Sequence, residues 1–346
     1  MGLRESMTAG CAREPAQIAR QGQAAKIMID SRVRAIARHL LAACGTLFLI
    51  SVVTFVATSS SPQNIARNVL GHYVTASQLD AYIAEHGLDR PIVVRYSEWI
   101  SGLVRGDWGR SEVTGREVWP EIVKRAKRTV VLSLLSILVA VPSALMLGVF
   151  MARRAGSYSD LSLLIVTVIF AALPEFIIGI GLIALFSVTL EWLPANSTGM
   201  AFGTFRDVAL AYVLPTSTLA LAIIPYIARI ARSTAVEAFS SAYTRAAVLR
   251  GLPRRSVVWS HAMRNAAVPL VNAIAINLVY LLGGVVVVEN VFAFPGLGQQ
   301  LVAAIGQSDT IVVMAITMVL GVLFIGISFT ADLLVVYFNP RLQKNN

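Results

Sequence analysis

The chain has 346 residues, of which 56% are hydrophobic and 14% are charged. A soluble globular domain carries roughly a quarter charged residues, so this composition excludes a soluble globular protein. Together with the apolar segments described below, it predicts an all-α membrane protein. The net charge of +10 is compatible with nucleic-acid binding. However, the basic residues lie between apolar segments rather than along one face, so membrane topology explains them better and no nucleic-acid partner is predicted.

In chain order, residues 1–35 are polar without a periodic apolar face, which predicts a disordered cytoplasmic tail. A start of the native protein at Met28 is a further hypothesis. Six segments then reach the length of about 20 apolar residues that a bilayer requires. They are residues 36–58, 129–152, 161–190, 208–228, 266–288 and 310–336. Residues 129–338 form the predicted transmembrane core, and 339–346 a second cytoplasmic tail.

Basic residues in the short connections predict the orientation. Arg153 and Arg154 lie between the second and third spans, and seven arginines surround the connection between the fourth and fifth. Such residues are retained in the cytoplasm, so both termini are predicted to be inside. The residues Lys124, Arg125, Lys127 and Arg128 are an exception, because this topology places them outside, directly before a span.

The external loop at 59–128 has apolar residues at helical spacing, which predicts amphipathic helices on the outer surface. Turn residues interrupt it at Gly87, Pro91, Gly106 and Gly109. Two interpretations are open: a cap that packs on the spans, or a platform that contacts a partner and the mouth of a pathway. The candidate residues are Asp89, Arg90, Pro91, Tyr96, Trp99, Gly106, Asp107 and Gly109.

Glu175 lies deep in the third apolar segment, directly after Pro174 and before Phe176. A charged group at the bilayer centre costs on the order of 3 kcal/mol, so Glu175 should face protein or water. A proline inside a helix frees the carbonyl four residues earlier, so the pair predicts irregular backbone there. Glu175 is therefore either a pathway or gate residue, or a hydrogen-bonded glutamate that stabilises a helix break.

A second irregular segment follows the fifth span at residues 289–298. Pro295 and Gly296 predict a tight turn, and Phe292 can fill apolar space between spans. Glu289 begins the segment. A structural gate element and direct ligand contact are both possible interpretations, and the first is favoured.

A polar, basic segment at 243–269 separates the fourth and fifth spans. Gly251 suits the left-handed position just past a helix end near Arg250, and Pro253 suits the first turn of a second helix. Ala246, Ala247 and Gly251 leave little side-chain bulk at this corner. It is therefore either a surface that another protein approaches closely, or an ordinary basic loop retained inside by its charge.

These segments together resemble a known family. The spacing Ala246-Ala247-x3-Gly251, then His261-x2-Arg264-Asn265-x3-Pro269, resembles the cytoplasmic coupling loop of ABC-importer permeases of the dipeptide/oligopeptide/nickel branch. Arg245 stands where the wider superfamily has an acidic residue, and this branch often has arginine there. The string from Gly87 to Ser111 and the Val-Phe-x2-Pro-Gly-Leu-Gly string at 291–298 are similar to other hallmarks of that branch.

The resemblance implies a type I ABC importer permease fold in a bacterial inner membrane. This fold has six transmembrane helices, a large first periplasmic loop, and a cytoplasmic coupling helix between helices 4 and 5, here within 232–264. The implied partners are a second homologous permease, two ATP-binding cassette subunits and a periplasmic or lipid-anchored substrate-binding protein. The implied ATPase-coupling residues are Tyr243, Arg245, Ala246, Ala247, Gly251, Leu252, His261, Arg264 and Asn265. The pathway or gate residues are Pro174, Glu175, Phe176, Glu289, Phe292, Pro295 and Gly296.

The sequence has no phosphate-binding Gly-x4-Gly-Lys-Ser/Thr loop, no His/Cys cluster and no nucleophile beside a base. We therefore expect no catalytic site, cofactor or metal in this chain. The alternatives are an ion-coupled secondary carrier or channel that works without an ATPase, and a membrane scaffold. A carrier usually shows intramembrane ionisable pairs or inverted repeats, and neither is clear here.

Overall fold

The computed structural model describes residues 41–58, 62–71, 74–85, 87–201, 203–253, 256 and 263–338. These ranges are helical apart from connections and one isolated bridge between Arg110 and Glu117, which confirms the all-α fold. The helices are α1 Leu41–Thr58, α2 Pro62–Leu70, α3 Ala76–Glu85, α4 Ile92–Val104, α5 Val118–Arg153, α6 Tyr158–Ala172, α7 Glu175–Leu182, α8 Phe205–Ser240, α9 Ala242–Leu249, α10 Met263–Val291, α11 Leu297–Gly306 and α12 Thr310–Phe338.

Five of these helices, α1, α5, α8, α10 and α12, are long and apolar enough to cross a membrane. A π-helical segment, Ile183–Thr189, continues α7. Together with α6 it forms a sixth candidate span that is bent by 107° at its break. The described chain therefore contains five or six candidate spans.

Two helices are longer than the apolar segments that predicted them. Helix α5 begins at Val118, 11 residues before the predicted start at 129, and α8 ends at Ser240, 12 residues after the predicted end at 228. Each has 36 residues and a length of about 54 Å, against about 30 Å of hydrocarbon. Charged residues in the first turns of α5 and the last turns of α8 lower the local hydropathy, but the helix continues through them. A helix that extends beyond the bilayer needs no apolar side chains there.

The third span contains a break, and its proline has a different role from the predicted one. Leu173 and Pro174 are extended, with ψ of 128° and 148°, and α7 starts at Glu175. Pro174 thus precedes a helix instead of lying inside one, and the predicted irregular backbone is a break between two helices. The extended Leu173 follows from the restriction that proline places on the residue before it.

The main core lies where α5, α8 and α10 pack together. It includes Leu132, Leu219, Ile227 and Leu281, each at most 1% exposed. Gly148 of α5 faces the backbone of α8, and a Cβ there would come within 2.6 Å of the Ala228 carbonyl. Small residues let membrane helices approach this closely, which stabilises the pair through backbone contacts.

Smaller apolar clusters lie at the two ends of the bundle. At one end the start of α5 packs on α11 and α12 through Ile122, Leu297 and Ile316; we name this the cap end, and residues 62–117 the cap. At the other end, Val149 and Leu270 pack on α8. We name this the elbow end, and residues 241–253, which follow α8, the elbow.

Candidate coupling and translocation sites

The elbow is a short helix joined to the end of α8 by a single extended residue. Ser241, with φ −69° and ψ 151°, ends α8, and α9 begins at once with Ala242. Gly251 has φ +75°, which confirms the predicted left-handed position just past a helix that ends at Leu249. Glycine suits this conformation because it has no Cβ to clash with the backbone.

Side chains of the elbow satisfy the free carbonyls at the end of α8. The buried Thr244 hydroxyl donates to the Ala238 carbonyl oxygen at 2.7 Å. The Arg245 guanidinium donates to the Ser240 carbonyl oxygen through Nε and Nη2, at 3.1 and 2.8 Å. The last four carbonyls of a helix have no partner within it, so these bonds fasten α9 to α8 and fix the angle between them.

The tip of the elbow is exposed among the described residues. Leu249 is 87% exposed, and Ala246 and Leu252 are exposed as well. No atom of the described residues lies within 4 Å of where a Gly251 Cβ would stand. Of the other predicted coupling residues, Tyr243 and Ala247 lie in α9, Arg264 and Asn265 lie in the first turn of α10, and His261 lies outside the described residues.

A buried ion pair lies at the elbow end of the bundle. Asp160 of α6 is 3% exposed, and it accepts from Arg232 of α8 through both carboxylate oxygens at 2.6 Å. The backbone N–H of Gly156 donates to the same carboxylate at 3.0 Å. The turn between α5 and α6 is thereby joined to α8, two turns before the elbow.

Glu175 lies at the edge of an open cleft of about 590 Å³ between α1, α7, α10 and α12. Its carboxylate is at the N-terminus of α7, where the helix dipole favours negative charge. Tyr280 lines the same cleft. The remaining described lining is almost wholly apolar or glycine: Ile50, Val279, Leu282, Gly283, Gly284, Val286, Val287, Thr317, Leu320, Gly321 and Phe324.

Glu289, unlike Glu175 at the edge of the open cleft, is fully buried at the cap end. Its carboxylate accepts from the Thr129 hydroxyl at 2.6 Å and from the backbone N–H groups of Gly298 and Gln299 at 2.6 and 3.2 Å. The Thr129 oxygen in turn accepts from the Leu297 N–H at 2.9 Å. The turn after α10 thus folds back over Glu289 and is tied to α5; we name residues 289–299 the cap-end turn.

The glycines of the cap-end turn leave room for that carboxylate. A Cβ on Gly296 would collide with the Glu289 carboxyl group, and one on Gly298 would come within 2.6 Å of the Val286 backbone. From α5, the Arg125 guanidinium donates to the Gln299 side chain at 2.8 Å, and that of Arg128 donates to the Pro295 carbonyl at 3.4 Å. Two of the four unexplained basic residues therefore bind this turn.

The cap packs on the bundle at two places. Tyr96 and Trp99 of α4 lie against Phe55 of α1, with ring centroids at 5.4 and 5.6 Å. Near its end, the Ser111 hydroxyl hydrogen-bonds the Asp309 carboxylate at the start of α12. The Glu112 carboxylate accepts from the Thr310 N–H at 3.1 Å in return.

The other cap residues singled out in the sequence have local roles. Arg90 forms a two-bonded ion pair with Glu98 at 2.7 and 2.8 Å, and both side chains are about half exposed. Asp107 accepts from the Gly109 N–H at 3.0 Å in the turn before α5. Gly87, Gly106 and Gly109 all have positive φ, which confirms turns at these positions.

The predicted pathway or gate residues fall into two separate groups. Pro174 directly precedes α7, Glu175 and Phe176 begin it, and of these Glu175 lines the cleft. Glu289, Phe292, Pro295 and Gly296 belong to the cap end, where Phe292 is 1% exposed. Sequence reasoning missed the groups that hold both ends together, namely Thr129, Asp160, Arg232, Ser241, Thr244 and the Ser111 contact with Asp309. Ser241 and Thr244 bond to the end of the helix before them, whereas the other groups have partners far away in the chain, and no local motif marks any of them.

Comparison with known proteins agrees with the arrangement. Residues 144–344 match the family described as the binding-protein-dependent transport system inner membrane component, and residues 32–133 match the N-terminal region of such membrane components. A relative from Sinorhizobium fredii, named "Probable peptide ABC transporter permease protein", is 30% identical over 308 residues, which are 89% of this chain and 98% of the relative. The glutathione transport system permease protein of Escherichia coli K12 is 33% identical over 306 residues, 88% of this chain and 97% of that protein.

Proposed function

Because the chain belongs to the family of binding-protein-dependent transport system inner membrane components, we propose how its parts serve transport. The chain is a multi-pass permease subunit of an ABC importer, and it has no catalytic role of its own, because separate subunits hydrolyse ATP in this family. We propose that it pairs with a second, similar permease and two ATPase subunits. A binding protein would deliver peptides or related small solutes such as glutathione.

In the proposed orientation the cap faces the periplasm, and the elbow and both termini face the cytoplasm. Arginines around the elbow, including Arg245 and Arg250, support this assignment, because basic residues are retained inside. The cap-end turn then lies at the outer face of the bundle. The ATPase subunits would meet the chain at the exposed tip of the elbow.

The observation that carries the coupling proposal is the attachment of α9 to α8. Thr244 and Arg245 bind the last carbonyls of α8, while Leu249 stays 87% exposed at the tip. A displacement of the tip would therefore move α8, a helix of 36 residues that also contributes to the main core. This geometry suits a lever better than a loop retained by charge alone.

The cleft beside Glu175 is the proposed part of the pathway in this chain. A glutamate at a helix N-terminus, in a cleft of about 590 Å³, is placed to meet polar groups of a solute while the walls stay apolar. Glu289 and Phe292 would hold the cap-end turn in place beside it without contacting the solute. An ion-coupled carrier is not favoured, since the relatives are ABC transport permeases.

The test is association with the ATPase subunits encoded with this chain. Leu249→Asp and Gly251→Asp are expected to abolish co-purification of those subunits and uptake, with membrane insertion unchanged, because both place a charge on the docking tip. Val104→Asp, at a cap residue 82% exposed, is the matched control and should leave ATPase binding intact. Normal ATPase binding and uptake in both elbow variants would contradict the proposal.

A further inference from the structure

The four basic residues at the start of α5 divide into two pairs. Arg125 and Arg128 turn toward the cap-end turn and donate hydrogen bonds to it. Lys124 and Lys127 are exposed, and no residue in the described part of the chain forms an ion pair or hydrogen bond with either. The structure therefore leaves two adjacent ammonium groups, one helical turn apart, for something outside this chain.

The helical register shows the direction in which these lysines project. At about 100° per residue, Lys124 and Lys127 lie within about 80° of arc of Val131, Leu134 and Leu138. Those three apolar side chains are 43, 59 and 69% exposed. One straight stripe of α5 thus begins with two lysines and continues as exposed apolar residues.

This stripe is opposite the face that α5 buries. The buried face carries Thr129, Leu132, Ser136, Ala140 and Gly148, and its centre lies about 180° from the stripe by the same register. Membrane helices meet one another through small residues. Since the small residues of α5 face the bundle and the stripe has only long or branched side chains, the stripe suits lipid better than another helix.

The spacing along the helix matches the layers of a bilayer. Lys127 and Lys124 precede Val131 by four and seven residues, or about 6 and 10 Å at 1.5 Å per residue. Each polar headgroup layer is about 5 to 8 Å thick. Side chains lean toward the N-terminus of their helix, which here means away from the apolar part, so the ammonium groups reach the headgroup layer directly above the exposed valine and leucines.

We propose that Lys124 and Lys127 form a binding site for the phosphate of an anionic phospholipid, whose acyl chains lie along Val131, Leu134 and Leu138. Two cations facing one phosphate give charge complementarity, and the apolar stripe contributes dispersion contacts with the chains. The lipid would hold α5 at a fixed depth beside the cap-end turn, which Arg125 and Arg128 already bind. The site requires a bilayer but not a particular solute.

The experiment measures lipid retention by the full chain. The protein is purified from nanodiscs that contain phosphatidylglycerol and phosphatidylcholine, and bound lipids are counted by native mass spectrometry. The Lys124→Gln/Lys127→Gln variant should retain phosphatidylglycerol about 25-fold less tightly, about fivefold for each lysine. Lys124→Arg/Lys127→Arg should retain it like the parent, because the charge remains.

A charge-matched control and four contrary results distinguish a lipid site from a free-anion site or a contact between subunits. Arg105→Gln/Arg116→Gln removes two exposed cap charges and should not change retention. Equal retention of the two lipids by the parent, or unchanged retention by the glutamine pair, would overturn the proposal. Displacement of the lipid by inorganic phosphate, beyond the effect of chloride at equal ionic strength, would assign a free-anion site instead. If the glutamine pair instead loses pairing with a second permease subunit while its lipid retention is unchanged, the stripe is a contact with that subunit. Displacement by phosphate and loss of pairing would each reject the lipid site.

Discussion

At the cap end of the bundle the turn after α10 is buried around Glu289, whereas at the elbow end the turn after α9 is exposed, with no described atom near a Cβ at Gly251. The cap-end turn is hydrogen-bonded to α5, whereas at the elbow end α9 itself, and not the turn after it, is hydrogen-bonded to the end of α8. Of the residues in the cap-end turn only Asn290 is exposed, whereas the turn after α9 presents the exposed Leu252. The difference indicates that the cap-end turn is a fixed closure, whereas the elbow is a surface built for a partner.

The largest effect on stability is expected when the Glu289 carboxylate is removed from the cap-end turn. Glu289→Ala leaves the Thr129 hydroxyl and the N–H groups of Gly298 and Gln299 buried without an acceptor, at about 1 to 3 kcal/mol for each. We expect a loss of about 4 kcal/mol in the free energy of unfolding, read as a lower midpoint of thermal unfolding in detergent. Glu98→Ala, which breaks a half-exposed ion pair, is the control and should cost less than about 1 kcal/mol. Equal effects of the two changes would refute the closure.

The second test adds one methyl group to the same turn. Gly298→Ala brings a Cβ within 2.6 Å of the Val286 backbone, which cannot move without shifting α10. Overpacking of this kind costs about 2 to 3 kcal/mol. Thermal unfolding measures the effect, and Gly283→Ala, where no atom lies within 4 Å of the added methyl, is the control. A melting midpoint like that of the control would show that the turn is loose.

The elbow end has its own buried carboxylate, and its removal should cost less. Asp160→Ala frees Arg232, whose side chain is 25% exposed, so water compensates part of the loss. We expect about 2 kcal/mol, between the values for exposed and buried ion pairs. A double-mutant cycle with Arg232→Met measures the coupling directly. Additive effects of the two single changes would mean that the pair does not join α6 to α8.

The smallest effect is expected at the tip of the elbow. Gly251→Ala meets no neighbour, but it places a Cβ at φ +75°, which costs about 1 kcal/mol. Thermal unfolding should therefore change less than in the Gly298 variant. ATPase association should also persist, because the tip gains no charge. A larger loss of stability than in Gly298→Ala would reverse the comparison between the two turns.

Local chemistry predicted the features that depend on one or two residues. The positive φ at Gly251, the end of the preceding helix and the break near Pro174 all follow from the properties of glycine and proline. The apolar segments likewise predicted the spans, because bilayer thickness sets a length that can be counted along the chain. The family resemblance was confirmed over most of the chain.

Features that depend on distant residues could not be predicted in the same way. Asp160 and Arg232 are 72 residues apart, and Thr129 and Glu289 are 160 apart. Nothing within either segment identifies its partner. The true start of α5 and the true end of α8 were also missed, because hydropathy marks where a helix leaves lipid rather than where it ends.

The most direct test of the proposed lever is the amount of solute imported for each ATP hydrolysed, measured in proteoliposomes with the Thr244→Val variant. This change removes the hydroxyl that joins α9 to Ala238, while Thr234→Val removes a hydroxyl bonded only within α8, to Ile230. If the elbow drives α8, the ATPase subunits should still bind Thr244→Val. Import per ATP should fall by about fivefold, the equivalent of one hydrogen bond of about 1 kcal/mol, while Thr234→Val stays unchanged. An unaltered ratio in Thr244→Val would contradict the lever.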